Sequence, residues 1–146
     1  VPRYFQLISN YNIPMEKNFE FVIQMQVRDY ECDLEGIVNN ANYLHYLEHT
    51  RHEYIKQKGL SFARLHEEGI DLVVARINIA YKTPLRSDDE FISGINITKE
   101  GMKYVFHHEI YRVGDEKLCI RAKVESVSIV NGKLADYPPL EALLKN

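Results

Sequence analysis

The sequence is short of cysteine, of long apolar runs and of charge of one sign, and each shortage excludes a class of protein. Two cysteines in 146 residues, Cys32 and Cys119, are too few for a disulfide framework, so we expect both as reduced thiols. A net charge of −3 gives no electrostatic reason to expect nucleic acid, whose recognition begins with a basic patch. Apolar runs such as 72–75 are far shorter than the roughly 20 residues that cross a membrane. We therefore expect a cytoplasmic protein with no nucleic-acid partner and no membrane partner.

What the sequence does have is the composition of one ordinary folded domain. Its length suits a single domain, and 45% hydrophobic with 27% charged residues is typical of a globular protein. Residues 1–17 follow no regular pattern and are expected to be an irregular N-terminal segment. A single domain is then expected over residues 18–146.

Hydrophobic periodicity predicts the elements of this domain. Odd positions from Phe19 to Val27 are apolar and alternate with polar residues, which predicts a half-buried strand. A helical period then runs from Asn42 to about Gln57, and a short helix is predicted between Ser61, as its N-cap, and Gly69. The remaining predictions are strands over 70–81, 90–98, 104–113 and 118–130 and a short C-terminal helix after 137–139.

Turn residues between the later strands favour hairpins and therefore an antiparallel sheet. The predicted long helix has a strongly apolar face, and a single helix and a single sheet can bury their apolar faces only against each other. The sequence thus predicts an α+β fold in which the sheet curls around the helix.

A carboxylate, a glycine and a helix start lie close together in the run Asp33-Leu34-Glu35-Gly36-Ile37-Val38. The N–H groups at a helix N-terminus can stabilise a developing oxyanion. Acyl transfer requires such donors together with a base or a nucleophile, and Asp33 could be that group. In a plainer interpretation Asp33 only caps a turn and Gly36 supplies a positive φ. Spacing alone does not decide between the two.

This run, followed by Ala41-Asn42-Tyr43 and Glu48-x-x-Arg51, resembles the signature of the 4-hydroxybenzoyl-CoA thioesterase family of hotdog proteins. The resemblance covers about residues 19–130 and includes 75–81 and 88–90. It implies a hotdog fold, in which an antiparallel sheet wraps one long helix. It also implies hydrolysis of an acyl-CoA or acyl carrier thioester without a metal or other cofactor, by a homodimer or homotetramer with its active site between subunits.

The resemblance further implies roles for individual residues. Asp33 would attack the thioester carbonyl or activate a water molecule, and the backbone N–H of Asn40 would polarise the carbonyl oxygen. Glu48 is a second candidate, because a related hotdog subclass carries its carboxylate on the helix. The expected substrate contacts are Tyr30, Gly36, Ile37, Val38, Asn42 and Tyr43 near the acyl group, with Lys99 and Lys103 at the phosphates of coenzyme A.

Two positions depart from the pattern of the subgroup with broad acyl-CoA activity. That subgroup has Tyr-His before Ala-Asn-Tyr, whereas this chain has Asn39-Asn40, and its tyrosine four residues before the aspartate is Asp29 here, with Tyr30 displaced by one place. An asparagine side chain donates hydrogen bonds but does not shuttle a proton. The backbone donor is unaffected by this difference.

Three other functions remain open at the level of sequence. His45-Tyr46-Leu47-Glu48-His49 fits the H-x-x-E-H pattern of a zinc site, but these histidines fall on the predicted solvent face of the helix. A hotdog hydratase or dehydratase typically has a histidine five residues after the aspartate, where this chain has Val38. A non-catalytic module that binds acyl thioesters would retain the fold and lose turnover.

Overall fold

A computed structural model describes residues 18–144 of the chain. The irregular segment predicted for residues 1–17 lies outside the described residues. Within the described range no helix is both long enough and apolar enough to cross a membrane.

The elements follow the predicted order of strand, long helix, short helix and further strands. A 3₁₀ helix at Asp29–Glu31, between β1 and α1, and a two-residue strand near the end were not predicted. The elements are β1 (Phe21–Gln26), α1 (Asn40–Gln57), α2 (Phe62–Glu67), β2 (Ile70–Tyr81), β3 (Glu90–Glu100), β4 (Lys103–Arg112), β5 (Leu118–Val130), β6 (Lys133–Leu134) and α3 (Pro138–Leu144).

The bounds of β2 and β5 are those predicted, whereas α1 begins two residues earlier than the periodicity indicates. The early start has a local cause, because the side chain of Asn39 accepts a hydrogen bond from the N–H of Ala41 at 2.9 Å and so caps the helix. The predicted cap of α2 is confirmed, since the Ser61 hydroxyl accepts from the N–H of Arg64 at 3.1 Å. Strand β1 is shorter than predicted, and β3 extends to Glu100.

The strands form one antiparallel sheet in the order β1-β3-β4-β5-β2, with β6 paired to β5. Helix α1 packs on the concave face of this sheet through buried side chains such as Tyr46 and Leu47, which share a core cluster with Phe91 and Ile110. Further along the helix, Tyr54 belongs to a second cluster at the other end of the sheet. The expected α+β hotdog arrangement is confirmed.

Strand β2 is an edge of the sheet, and its inner face is only partly covered by α1. Val74, Ile77 and Tyr81 pair with the buried β5 residues Ser126, Val124 and Ile120, so they lie on the inner face. They nevertheless remain 42%, 38% and 46% exposed, respectively. An open apolar strip therefore runs along the inner face of the edge strand.

Candidate active site

The turn that carries Asp33 is held by its own hydrogen bonds. The N–H of Glu35 donates to Oδ1 of Asp33 at 2.8 Å, and Gly36, with a φ of 78°, donates its N–H to the Asp33 carbonyl oxygen at 3.0 Å. The plainer interpretation is thus confirmed as a description of the local structure. It does not exclude a chemical role, because Asp33 is exposed and its other carboxylate oxygen has no partner among residues 18–144.

The start of α1 presents a free backbone donor at Asn40. Asn39 accepts from the N–H of Ala41 through its side chain, and from the N–H of Asn42 through its carbonyl oxygen at 2.9 Å. The N–H of Asn40, between them, has no acceptor in the part of the chain that the structure describes. Since the N-terminal turn of a helix also carries partial positive charge, this N–H is suited to a carbonyl oxygen that becomes negative.

Glu31 joins the Asp33 turn to the start of α1. Its carbonyl oxygen accepts from the N–H of Asn39 at 3.0 Å and from the side-chain amide of Asn42 at 2.7 Å. Its carboxylate accepts from the N–H of Arg28 at 2.7 Å and from the hydroxyl of Tyr46 at 2.9 Å. Sequence reasoning missed this residue, because Glu31 and Tyr46 are 15 residues apart and belong to different elements.

The neighbour of Asp33, Cys32, is a candidate thiol nucleophile by its position in the sequence. Desolvation by burial, followed by the charges of Asp33 and Glu31, raises the pKa of the Cys32 thiol. The raised pKa keeps the thiol protonated at neutral pH. Because the thiolate is the nucleophilic form, Cys32 is a poor nucleophile in this environment.

Several of the expected substrate contacts have structural roles. Val38 and Tyr43 are buried, and the Tyr43 hydroxyl accepts the N–H of Leu85 at 2.9 Å. Asn42 is occupied by the carbonyl oxygen of Glu31. These residues form the wall behind the site, whereas Ile37 is half-buried, and Gly36 and Tyr30 are exposed.

Tyr81 is a further residue at this site that sequence reasoning missed. Its hydroxyl donates to the carbonyl oxygen of Asn40 at 3.3 Å, and its ring lies edge-on to Tyr43 with 5.6 Å between the ring centroids. The end of the open strip on β2 is thereby placed beside the free N–H of Asn40. No sequence signal indicates the contact, since it depends on how the sheet curls.

The two candidate lysines for coenzyme phosphates are both in ion pairs. Lys99 lies 2.9 Å from Asp136 and 3.4 Å from Glu141, and Lys103 lies 3.5 Å from Glu125. A phosphate at either lysine would have to compete with these carboxylates. Their role in binding coenzyme A is therefore still a prediction.

Glu48 lies two turns further along α1, half-exposed and 3.8 Å from His52. It lines a cavity of about 280 Å³ between α1, α2 and β2, together with Arg51 and Phe62. The zinc-pattern histidines, His45 and His49, are exposed, and no group of three or more metal-ligating side chains occurs among residues 18–144. Asp33 does not line this cavity.

Comparison with known proteins identifies the family of this chain. The model of a family described as the thioesterase-like superfamily matches residues 27–145. A Bacillus subtilis relative named putative acyl-CoA thioesterase YneP is 33% identical over 107 residues, which cover 73% of this chain and 77% of the relative. The chloroplastic acyl-acyl carrier protein thioesterase ATL3 of Arabidopsis thaliana is 31% identical over 110 residues, which cover 75% of this chain and 58% of the relative. The chain thus spans little more than half the length of that plant relative.

A solved structure supports the fold independently. The structure of a 1,4-dihydroxy-2-naphthoyl-CoA thioesterase from Synechocystis matches with a TM-score of 0.81 at 20% identity, over 86% of this chain and 96% of that one. At this identity the likeness concerns the fold alone. Because the family model matches most of the chain, the protein belongs to the thioesterase-like superfamily.

Proposed function

We propose that this protein hydrolyses acyl thioesters of coenzyme A or of an acyl carrier protein to the free acid and the thiol. The observation that carries the proposal is the free N–H of Asn40 at the start of α1, next to the exposed turn of Asp33. Membership of the thioesterase-like superfamily and the names of the relatives support the same reaction.

In the proposed reaction the thioester carbonyl oxygen accepts a hydrogen bond from the N–H of Asn40. The carboxylate of Asp33 either attacks the carbonyl carbon or removes a proton from an attacking water molecule. The C–S bond breaks as the tetrahedral intermediate collapses, and the thiolate takes up a proton. Neither Asn39 nor Asn40 has a side chain that can donate this proton. The proton therefore comes from solvent or, where Asp33 acts as the base, from its protonated carboxyl group. Where Asp33 is the nucleophile, a water molecule then hydrolyses the acyl–Asp33 anhydride, which releases the free acid and restores the carboxylate.

The acyl group would leave this point along the open strip of β2. Tyr81 lies beside Asn40, and Ile77 follows on the same face of the strand. Leu44, which is 36% exposed, lies on α1 one turn before Glu48. Together with Ile37 these side chains offer apolar contact to an acyl chain.

The proposed active form is a homodimer, or a tetramer built from such dimers, with the active site at the subunit interface. Strand β2 is an edge with unpaired backbone groups, and Val73, Val74 and Ile77 expose apolar surface on it. An apolar edge of this kind favours pairing with a second strand. A stable monomer in solution that retains full activity would contradict this part. Since both thiols are free, a reducing compartment such as the cytoplasm suits the protein.

The test is turnover of a panel of acyl-CoA and acyl carrier thioesters, with release of the free thiol as the signal. We expect turnover by the native protein, and a fall in kcat of at least about 100-fold in Asp33→Asn with little change in KM. The matched control is Glu35→Gln, which removes a carboxylate from the same exposed turn and should retain activity.

Three results would contradict the proposal. Tight binding of acyl thioesters without release of thiol would indicate a binding module. Hydration of an enoyl thioester without hydrolysis would indicate a hydratase. Full activity in Asp33→Asn would exclude Asp33 as the nucleophile or base and leave Glu48 as the remaining candidate.

A further inference from the structure

Arg51 is a buried arginine with few partners. It is 8% exposed, and its guanidinium contacts Nε2 of His108 at 3.3 Å and lies 5.9 Å from the centre of the Phe106 ring. No carboxylate of residues 18–144 forms an ion pair with it, although Glu48 lies near enough to raise its pKa against the larger, lowering effect of burial. Buried arginines are almost always paired, because a buried charge without hydrogen bonds is costly.

The partner of Arg51 can satisfy only one of its donors. A guanidinium has five N–H donors and no acceptor, so Nε2 of His108 must be the acceptor in their contact. The proton of His108 is then on Nδ1, which is buried and has no partner within the described residues. His108 is therefore neutral and contributes no counter-charge. Arg51 retains further N–H donors at the cavity that it lines.

That cavity combines apolar walls with polar groups. Phe62, Leu72 and Val74 form part of the lining, and the hydroxyl-bearing Ser126 beside them is only 2% exposed. Two carboxylates also line the cavity, Glu48 and Asp71, each half-exposed and next to a histidine. These carboxylates would repel a ligand with its own negative charge. An uncharged oxygen at the end of an apolar chain meets no such repulsion and can accept from the free guanidinium donors.

The cavity lies along the strip proposed for the acyl chain. Arg51 follows Asn40 by 11 positions on one helix, a rise of about 16 Å. On the facing strand, Tyr81 contacts Asn40 and Val74 lines the cavity, so β2 runs from one site to the other. An acyl group held at Asn40 by its carbonyl and lying along β2 would thus point its distal end towards Arg51.

We propose that Arg51 and the surrounding cavity form a subsite for the distal end of an oxygenated acyl group, with a hydroxyl or ketone oxygen accepting from the guanidinium. This proposal rests on the proposed thioesterase function and defines its substrate class. A site built to donate hydrogen bonds discriminates against an otherwise identical ligand that lacks the acceptor, because its own polar groups are then left unpaired.

The test compares three thioesters of equal chain length, namely ω-hydroxydecanoyl-CoA, decanoyl-CoA and decanedioyl-CoA. For the native protein we expect kcat/KM for the ω-hydroxy substrate to exceed that for either of the others at least about tenfold, the value of one hydrogen bond to a charged group. Arg51→Met should abolish this preference while still hydrolysing decanoyl-CoA. The control, Arg64→Met, removes an exposed arginine of α2 and should retain the preference.

The outcomes are separable from those of the proposed function. Equal rates for ω-hydroxydecanoyl-CoA and decanoyl-CoA in the native protein would overturn the subsite, and this result needs no folded variant. Preference for decanedioyl-CoA would overturn the assignment to an uncharged oxygen. If no thioester is hydrolysed, the proposed function fails and the subsite is tested by calorimetry with free ω-hydroxydecanoic acid. Binding no tighter than that of decanoic acid would then overturn the subsite as well.

Discussion

The two parts of helix α1 that face the open strip satisfy their polar groups in opposite ways. At the N-terminal end, Glu31, Asn39 and Asn42 are joined by short hydrogen bonds, and the exposed N–H of Asn40 has no acceptor among residues 18–144. Near the middle of the helix, Arg51 and His108 are buried, and several donors are left over. The first arrangement fixes geometry with a network of hydrogen bonds. The second maintains a charge in the interior, where a hydrogen bond to a ligand is stronger than in water.

This difference suggests that the helix start serves the reaction, whereas the cavity at Arg51 selects the substrate. A carbonyl that develops negative charge needs a donor whose position does not change during the reaction. The hydrogen bonds on either side of Asn40 hold its free N–H in place. A distal acyl group does not react, so a cavity with unused donors can serve to select it. Changes at the two places should therefore alter different kinetic parameters.

Among the side-chain changes that follow, the largest effect is expected at the helix start, with Glu31→Ala. Loss of the carboxylate frees the Tyr46 hydroxyl and the N–H of Arg28, so the Asp33 turn can shift relative to Asn40. A displacement of about 1 Å can reduce kcat about 100-fold, and we expect a fall of that order with KM nearly unchanged. Glu31→Gln, which retains an acceptor, should recover most of the rate. If Glu31→Ala instead raises KM and leaves kcat intact, Glu31 does not hold the Asp33 turn in position for the reaction.

The buried pair in the middle of the helix should make the free energy of unfolding depend on pH. Burial, and then the charge of Arg51, holds the pKa of His108 well below its ordinary value of 6.5. In the unfolded chain the same group takes up a proton as pH falls below about 6.5, so the native state is favoured above that pH and loses stability below it. We expect a loss of about 1.4 kcal/mol per pH unit from this group, measured by urea unfolding between pH 7 and pH 5.

A matched pair of variants isolates that contribution. His108→Gln retains an acceptor for Arg51 but does not titrate. The slope of the free energy of unfolding against pH should therefore fall by the contribution of one titrating group, about 1.4 kcal/mol per pH unit. His49→Gln, on the exposed face of α1, should leave the His108 contribution in place. An unchanged slope in His108→Gln would mean that the imidazole is not held neutral.

The smallest effect is expected away from both regions, at Lys99. Its ion pairs with Asp136 and Glu141 connect β3 to the C-terminal segment, and the side chain is 25% exposed. Lys99→Met should lower the free energy of unfolding by about 1 kcal/mol, as for other partly exposed pairs. If KM for coenzyme A thioesters also rises severalfold, Lys99 contacts the coenzyme as predicted. Lys103→Met tests the second predicted lysine in the same way.

Sequence reasoning recovered the elements because their periodicity is local. Strand β2 and strand β5 have the predicted bounds, and α1 differs only where the Asn39 cap overrides the apolar pattern. The position of Asp33 before a helix start is also encoded within a few residues, as is the positive φ of Gly36.

What sequence reasoning missed depends on contacts between distant positions. Arg51 and His108 are 57 residues apart and Tyr81 and Asn40 are 41 apart, so no local pattern indicates either contact. The prediction of Lys99 as a contact for coenzyme phosphates stays untested, and its ion pairs with acidic residues of the C-terminal segment form only in the fold. The polar network at the site is thus a property of the curled sheet.

The most direct measurement for the central claim compares Asn40→Pro with Asn40→Ala. Proline at the first helical position removes the backbone N–H together with the asparagine side chain. Asn39 already has the extended conformation, with φ −62° and ψ 140°, that proline requires before it. Alanine removes the side chain and retains the N–H. We predict that Asn40→Pro lowers kcat about 100-fold or more while Asn40→Ala remains close to the native rate. Equal activity of the two variants would show that this N–H does not stabilise the transition state.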